Sequence, residues 1–258
     1  MNATTELAKN IITEKVAELI AETIGNKNYN AFNLASDALK IAREVIANIP
    51  GVEFIPGEPN SKTGIKSIDL LPLVTCACVA RETCGKINSG CKYNKGRCYA
   101  LKLLYRNPAT CARYAINTAL AIDKPAAFWE GVNSLLYCER FVRLFVAGDA
   151  NLPGFAEKLV EVVEKNPHCK VQGFTKCYDK FNAIIEKRGS LPENLVLLFS
   201  GWEELKPTNP HNLPISDVYD ENLPEGWLSC GGNCLECACV GLGCWKAQKG
   251  DVVGLKRH

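Results

Sequence analysis

"FVRLFVAGD" (141–149), "KVQGFTK" (170–176) and "NLVLLFSGW" (194–202) are three short runs rich in apolar residues, each closing on glycine or polar side chains. Between them lie "GFAEKLVEVVEKN" (154–166) and "YDKFNAIIEKRG" (178–189), whose apolar residues recur at steps of three and four, the spacing of one helix face. The strand starts fall roughly 25 to 30 residues apart, the pitch of βαβ units. That pattern predicts parallel strands joined by crossover helices. Three units are too few for a closed eightfold barrel. The expected fold class is therefore α/β, as a partial (βα) barrel or a parallel sheet. "ISDVY" (215–219) is a fourth strand candidate, and "IDLLPLVTC" (68–76) is a strand-like run that leads straight into cysteines.

Upstream, two helical patterns open the chain. Leu7, Ile11, Ile12, Val16, Leu19, Ile20 and Ile24 form one stripe, stopped by Gly25. Leu34, Ala38, Ile41, Ala42, Val45, Ile46 and Ile49 form the second, stopped by Pro50-Gly51. Residues 1–50 are expected to be a helical hairpin. Residues 51–258 are expected to be the α/β core, carrying two cysteine-rich segments, 76–98 and 230–244. Further helices are expected from Tyr99, again from Pro108 and again near Pro125.

The 258 residues are 47% hydrophobic and 22% charged, enough apolar material for a proper core without disulfide staples. A net charge of +2 gives no bulk field toward nucleic acid or an acidic membrane. No apolar run approaches the ~20 residues that span a bilayer. "MNATTELAKNIITEK" (1–15) lacks the basic-then-apolar order of a signal peptide. A cytoplasmic protein is expected. In that reducing setting, fourteen cysteines point to metal binding before disulfides.

The cysteines form two groups. The second is "SCGGNCLECACVGLGCWK" (229–246), with Cys230, Cys234 and Cys237 at C-x3-C-x2-C spacing, then Cys239 and Cys244. Bunched thiolates repel unless a cation neutralises them. Its glycines let the backbone wrap tightly and turn amides inward, toward sulfur. A structural zinc site typically uses two C-x2-C pairs, and only Cys234–Cys237 has that spacing in this chain. C-x3-C-x2-C is also the spacing of radical S-adenosylmethionine enzymes, although those place it after the first strand of a barrel. The first group is Cys76, Cys84, Cys91 and Cys98, with Cys78 as an extra; its wide gaps suit a cluster wrapped by a loop. The expected ligands are Cys76, Cys84, Cys91 and Cys98 for one [4Fe-4S]-type iron–sulfur cluster and Cys230, Cys234, Cys237 and Cys244 for another. Mixed ligation across the two groups stays open. Cys111, Cys138 and Cys169 read as small buried hydrophobes; Cys177 lies beside Lys176.

Ligands of parallel α/β folds sit beyond the carboxyl ends of the strands. Those ends carry Gly148-Asp149, Thr175-Lys176-Cys177 and Ser200-Gly201-Trp202. Asp149 and Lys176 are the candidate catalytic residues. Gly148, Thr175 and Trp202 are the candidate contacts to a cofactor or small molecule.

"GCKYNKGRCYALK" (90–102), "RLFVAGDA" (143–150), "VQGFTKCYDKFN" (171–182), "LPENLVLLFSGW" (191–202) and the terminal "CGGNCLEC" with His258 are together similar to the phage gene-product-88-like proteins. The resemblance covers roughly residues 65–258. It implies a shortened relative of the radical S-adenosylmethionine barrel. It also implies Cys76, Cys84, Cys91 and Cys98 as ligands, with Gly148, Asp149, Thr175 and Lys176 at the rim, in a phage-encoded protein of the host cytoplasm. The expected function is iron–sulfur binding, redox-active, with a small-molecule ligand or a redox partner and with S-adenosylmethionine as a further cofactor candidate. The alternative is a zinc-stabilised binding module for a host protein or nucleic acid.

Overall fold

The computed structural model describes residues 1–26, 29–77, 99–201 and 205–256. Cys78, Cys84, Cys91, Cys98, Trp202 and His258 lie outside the described residues. In chain order the elements are α1 (Ala3–Thr23), α2 (Ala31–Asn48), β1 (Ser67–Ile68), α3 (Tyr99–Arg106), α4 (Pro108–Asp123), α5 (Pro125–Cys138) and β2 (Phe141–Leu144). Then come α6 (Phe155–Glu164), β3 (Lys170–Thr175), α7 (Tyr178–Arg188), β4 (Leu195–Ser200), β5 (Ile215–Tyr219) and β6 (Leu228–Ser229). The last are α8 (Cys234–Val240), a 3-10 turn (Gly243–Trp245) and β7 (Val252–Lys256). Among the described residues no helix is long and apolar enough to cross a membrane.

The chain divides into two compact units. One comprises Met1–Ile55, Asp69–Val132 and Ala147–Asp149; the other comprises Pro56–Ile68, Asn133–Val146 and Ala150–His258.

The first unit is helical. Asn2 caps α1 by accepting from the Thr5 N–H at 2.7 Å, and Asn30 and Asn33 form a reciprocal capping box on α2. The expected hairpin is present, and its inner faces are narrower than the sequence stripes. In α1 the buried positions are Thr5, Ala8, Ile12, Val16 and Ile20, while Leu7 is 55% and Ile24 50% exposed. On α2 the inner face is mostly small, with Ala31, Ala35, Ala38 and Ala42 buried; α1 and α2 both pack on α4, and short side chains allow the close approach. Helix α4 is buried from Cys111 through Leu120. It also organises its neighbours' backbone. Asn117 accepts from the Ile55 N–H at 2.9 Å and donates to the carbonyls of Ile55 and Asp69. Thr118 Oγ1 accepts from the Leu71 N–H at 2.8 Å, and Arg113 pairs with buried Asp69 at 2.9 Å.

The second unit is built on a seven-stranded sheet in the order β1-β2-β3-β4-β5-β7-β6, every pair parallel. Of the two architectures expected, this is the parallel sheet and not a closed barrel. "IDLLPLVTC" is a strand only at its start: β1 covers Ser67–Ile68, and Leu73 has φ 68°, outside strand geometry. Strand alternation sorts the side chains. Val142 and Leu144, Val171, Gly173 and Thr175, and Leu195, Leu197 and Phe199 share one face; there Tyr178 of α7 packs on Phe199, ring centroids 5.1 Å apart. Phe141 and Arg143, Lys170, Gln172 and Phe174, and Val196, Leu198 and Ser200 share the other, and register places Ser216 and Val253 with them. Cys111, Cys169 and Cys177 are buried as small hydrophobes, but Cys138 is exposed, since it is the last residue of α5 on its solvent side.

Candidate metal centre

The residues that gather over the second sheet face come from the stretch between β6 and β7. The N–H of Cys230 donates to the Gly254 carbonyl at 3.2 Å, so the first cysteine extends the β6–β7 ladder. Asn233 then caps α8, its side chain accepting from the Glu236 N–H at 3.1 Å. The next free N–H groups of that helix start are taken by an earlier loop: Cys234 donates to the Lys62 carbonyl at 3.1 Å and Leu235 to Thr63 at 3.0 Å. One helical turn brings Cys234 and Cys237 to the same side. Gly241 ends the helix in the left-handed conformation, and the Leu242 N–H donates back to the Cys237 carbonyl at 2.9 Å. The 3-10 turn then delivers Cys244 and Trp245 to the sheet.

Trp245 is the anchor. It is 0% exposed, meets Phe141 edge-on with centroids 5.6 Å apart, and its carbonyl accepts from Lys170 Nζ at 2.7 Å. Cys237, Ala238, Cys244 and Trp245 share one apolar cluster with Ile65, Leu198 and Val253. The cysteines are therefore not on a free loop. They form the cover of the sheet's second face.

Three thiols of this cover meet in one cluster, Cys234 packing against Cys237 and Cys244. Cys230, Cys234, Cys237 and Cys244 are unbridged. Burial pushes the Cys244 thiol up to about 12; Arg143 pulls it back, and Cys234, Cys230 and Cys237 push it further up. Burial likewise raises Cys237, whose sulfur accepts from the Gly231 N–H, with Cys230 and Cys234 adding repulsion. The close approach at that amide requires glycine: a Cβ on Gly231 would lie 2.7 Å from Cys237 Sγ. Arg143 Nη1 donates to Cys234 Sγ at 3.1 Å, while its guanidinium lies 4.5 Å from the Phe174 ring centroid. Cys239 is exposed on the far side of α8.

Among the described residues no group of three or more His, Cys, Asp or Glu side chains is arranged to hold a metal ion as it stands. A tetrahedral zinc–thiolate site needs sulfurs about 3.8 Å apart, from Zn–S bonds of about 2.3 Å. The donor set fits a soft metal in its chemistry: four thiols, an inward amide and a cation, with no competing disulfide.

The other predicted residues fall in two places. In the first unit, Gly148 has φ 79°, and a Cβ there would lie 2.7 Å from the Leu70 carbonyl oxygen and from Thr75 Oγ1. The Asp149 N–H donates to that same Thr75 hydroxyl at 3.1 Å. Gly148-Asp149 is thus bound to the segment that leads into half-buried Cys76. In the second unit, Thr175 accepts from the Cys177 N–H at 2.9 Å, and Lys176 Nζ donates to Ser200 Oγ at 2.8 Å. The Tyr178 hydroxyl donates to the Ser200 carbonyl. Arg143 and Gln172 were not legible as site residues, although a charge inside "FVRLF" was the available signal.

The gene product 88 family model matches residues 58–243. The chain belongs to the gene product 88 family. No curated protein and no solved structure gives a match. The gene product 88 region takes in β1 through β6 together with Cys230, Cys234 and Cys237, and ends one residue before Cys244. Helices α1 and α2 precede it and β7 follows it.

Proposed function

We propose that this gene product 88 protein binds a thiolate-ligated iron–sulfur cluster of [4Fe-4S] type through Cys230, Cys234, Cys237 and Cys244. The observation that carries this reading is the packing of unbridged Cys234, Cys237 and Cys244 in one cluster over one sheet face, with Arg143 donating to Cys234 Sγ and Gly231 closely approaching Cys237 Sγ. A structural zinc site typically uses two C-x2-C pairs, and only Cys234–Cys237 has that spacing, which favours a polynuclear centre over zinc. When bound, such a cluster supplies one-electron chemistry. The chain's own part is to fix the thiols on β6, α8 and the 3-10 turn, to exclude water with Trp245, and to direct hydrogen bonds at sulfur. With Cys244 as fourth thiolate, ligation is complete, which suits electron transfer or a structural role better than binding S-adenosylmethionine at an open iron. Cys76, Cys84, Cys91 and Cys98 are the ligands of a second cluster in this reading.

Anaerobic purification and reconstitution, followed by iron, sulfide and zinc analysis and an absorbance spectrum, test it. Iron and sulfide in equal amounts with a broad band near ~400 nm are expected. A colourless protein holding stoichiometric zinc overturns it. Cys→Ser variants at 230, 234, 237 and 244 assign the first cluster, and Cys76→Ser and Cys91→Ser the second.

A further inference from the structure

Arg143 and Gln172 are register partners on β2 and β3, side by side on the face that the cysteines cover. Arg143 spends one nitrogen, Nη1, on Cys234 Sγ. Its Nε is buried and unpartnered among the described residues. So are both amide atoms of Gln172, a side chain 0% exposed, and Nε1 of Trp245 above them. Buried polar atoms without a partner are costly, so these side chains, together with Ser216 Oγ on the same sheet face, need a common explanation. The orphans include three N–H donors, on Arg143, Gln172 and Trp245. These three lack an acceptor, while Gln172 Oε1 lacks a donor. Four thiolates and the inorganic sulfides of a cluster are acceptors that carry negative charge, and Arg143 is the cation that donates to one of these sulfurs among the described residues.

We infer that Arg143, flanked by Gln172, is a positioning residue that sets the charge balance of the cysteine centre, its guanidinium and the neighbouring amide serving as hydrogen-bond donors to cluster sulfur. This rests on the iron–sulfur reading and adds a direction to it. Donors and positive charge next to cluster sulfur stabilise the reduced, more negative form, so Arg143 raises the reduction potential.

The test uses the reconstituted full chain, wild type, Arg143→Gln and Arg143→Lys, with iron and sulfide content and a redox titration for each. Arg143→Gln is expected to keep the metal but to favour the oxidised form by at least tenfold, about 59 mV for one electron. Arg143→Lys, which keeps the charge and loses the planar fork, is expected to fall between. An unchanged potential in fully loaded Arg143→Gln overturns the inference. A wild-type chain that takes up no iron and sulfide on reconstitution overturns the iron–sulfur reading; a fully loaded chain whose potential Arg143 does not move overturns this inference alone.

Discussion

Gly231→Ala isolates the position of one sulfur. Gly231 does not have a positive φ, so alanine suits its backbone, and the added methyl has a single close neighbour, Cys237 Sγ at 2.7 Å. Ordinary contact lies at about 3.5 Å, so the sulfur must retreat by about 0.8 Å. Metal–ligand distances tolerate about 0.2 Å. Cys237 is 6% exposed and packed against the core under α8, so it has little room to move without turning the helix. The expected result is a folded protein whose iron affinity falls tenfold or more, the scale of support-shell changes at metal sites. Competition with a chelator of known affinity measures it, with Cys237→Ser as the full-loss reference and Cys239→Ser, at the exposed cysteine, as the neutral one. Circular dichroism confirms the fold. Wild-type affinity and an unaltered absorbance band in Gly231→Ala would refute Cys237 as a ligand.

Trp245→Ala removes the anchor of the 3-10 turn and is expected to cost about 3–5 kcal/mol in urea unfolding. Arg113→Met removes the cation paired with Asp69, which is 1% exposed, and is expected to destabilise by about 3–5 kcal/mol while leaving iron content per folded chain unchanged. Burial pushes the Cys111 and Cys169 thiols up to about 12. Their contribution is intact below the ordinary thiol range and is lost as pH rises toward about 12, because unfolded thiols ionise first. Each is expected to lower stability by about 1.4 kcal/mol per pH unit across that window; Cys111→Ala should flatten the slope, read as urea midpoints at pH 8 and pH 10.5.

The repeating helix–strand units were legible because each strand is bounded by turn residues and each helix keeps its period. The runs at 141–149, 170–176 and 194–202 became β2, β3 and β4, β2 stopping at Leu144 because Phe145 has φ 55°, and "ISDVY" became β5. Strands β6 and β7 were not. "LS" is two residues long, and "VVGLK" carries a glycine and follows a cysteine-rich stretch whose local pattern outweighs it. Helix α8 was hidden for a related reason. Its seven residues, "CLECACV", show no apolar period, and its start is fixed by a distant loop at Lys62–Thr63. Cysteine spacing pointed to ligands; which cation faces them depends on strand register, and single-sequence reading does not reach register across a parallel sheet.

Strand β7 has a consequence for the order of events during maturation. It follows the cysteines in the chain, yet in space it slots between β5 and β6, and its Gly254 carbonyl receives the N–H of Cys230. Until that insertion occurs, β6 has no partner among the described strands and Cys230 has no fixed position. Such non-local parallel pairing forms late. On the iron–sulfur reading, metal loading waits on completion of the sheet: a nascent or clipped chain ending before Val252 carries every C-terminal cysteine and still lacks the scaffold that gathers them.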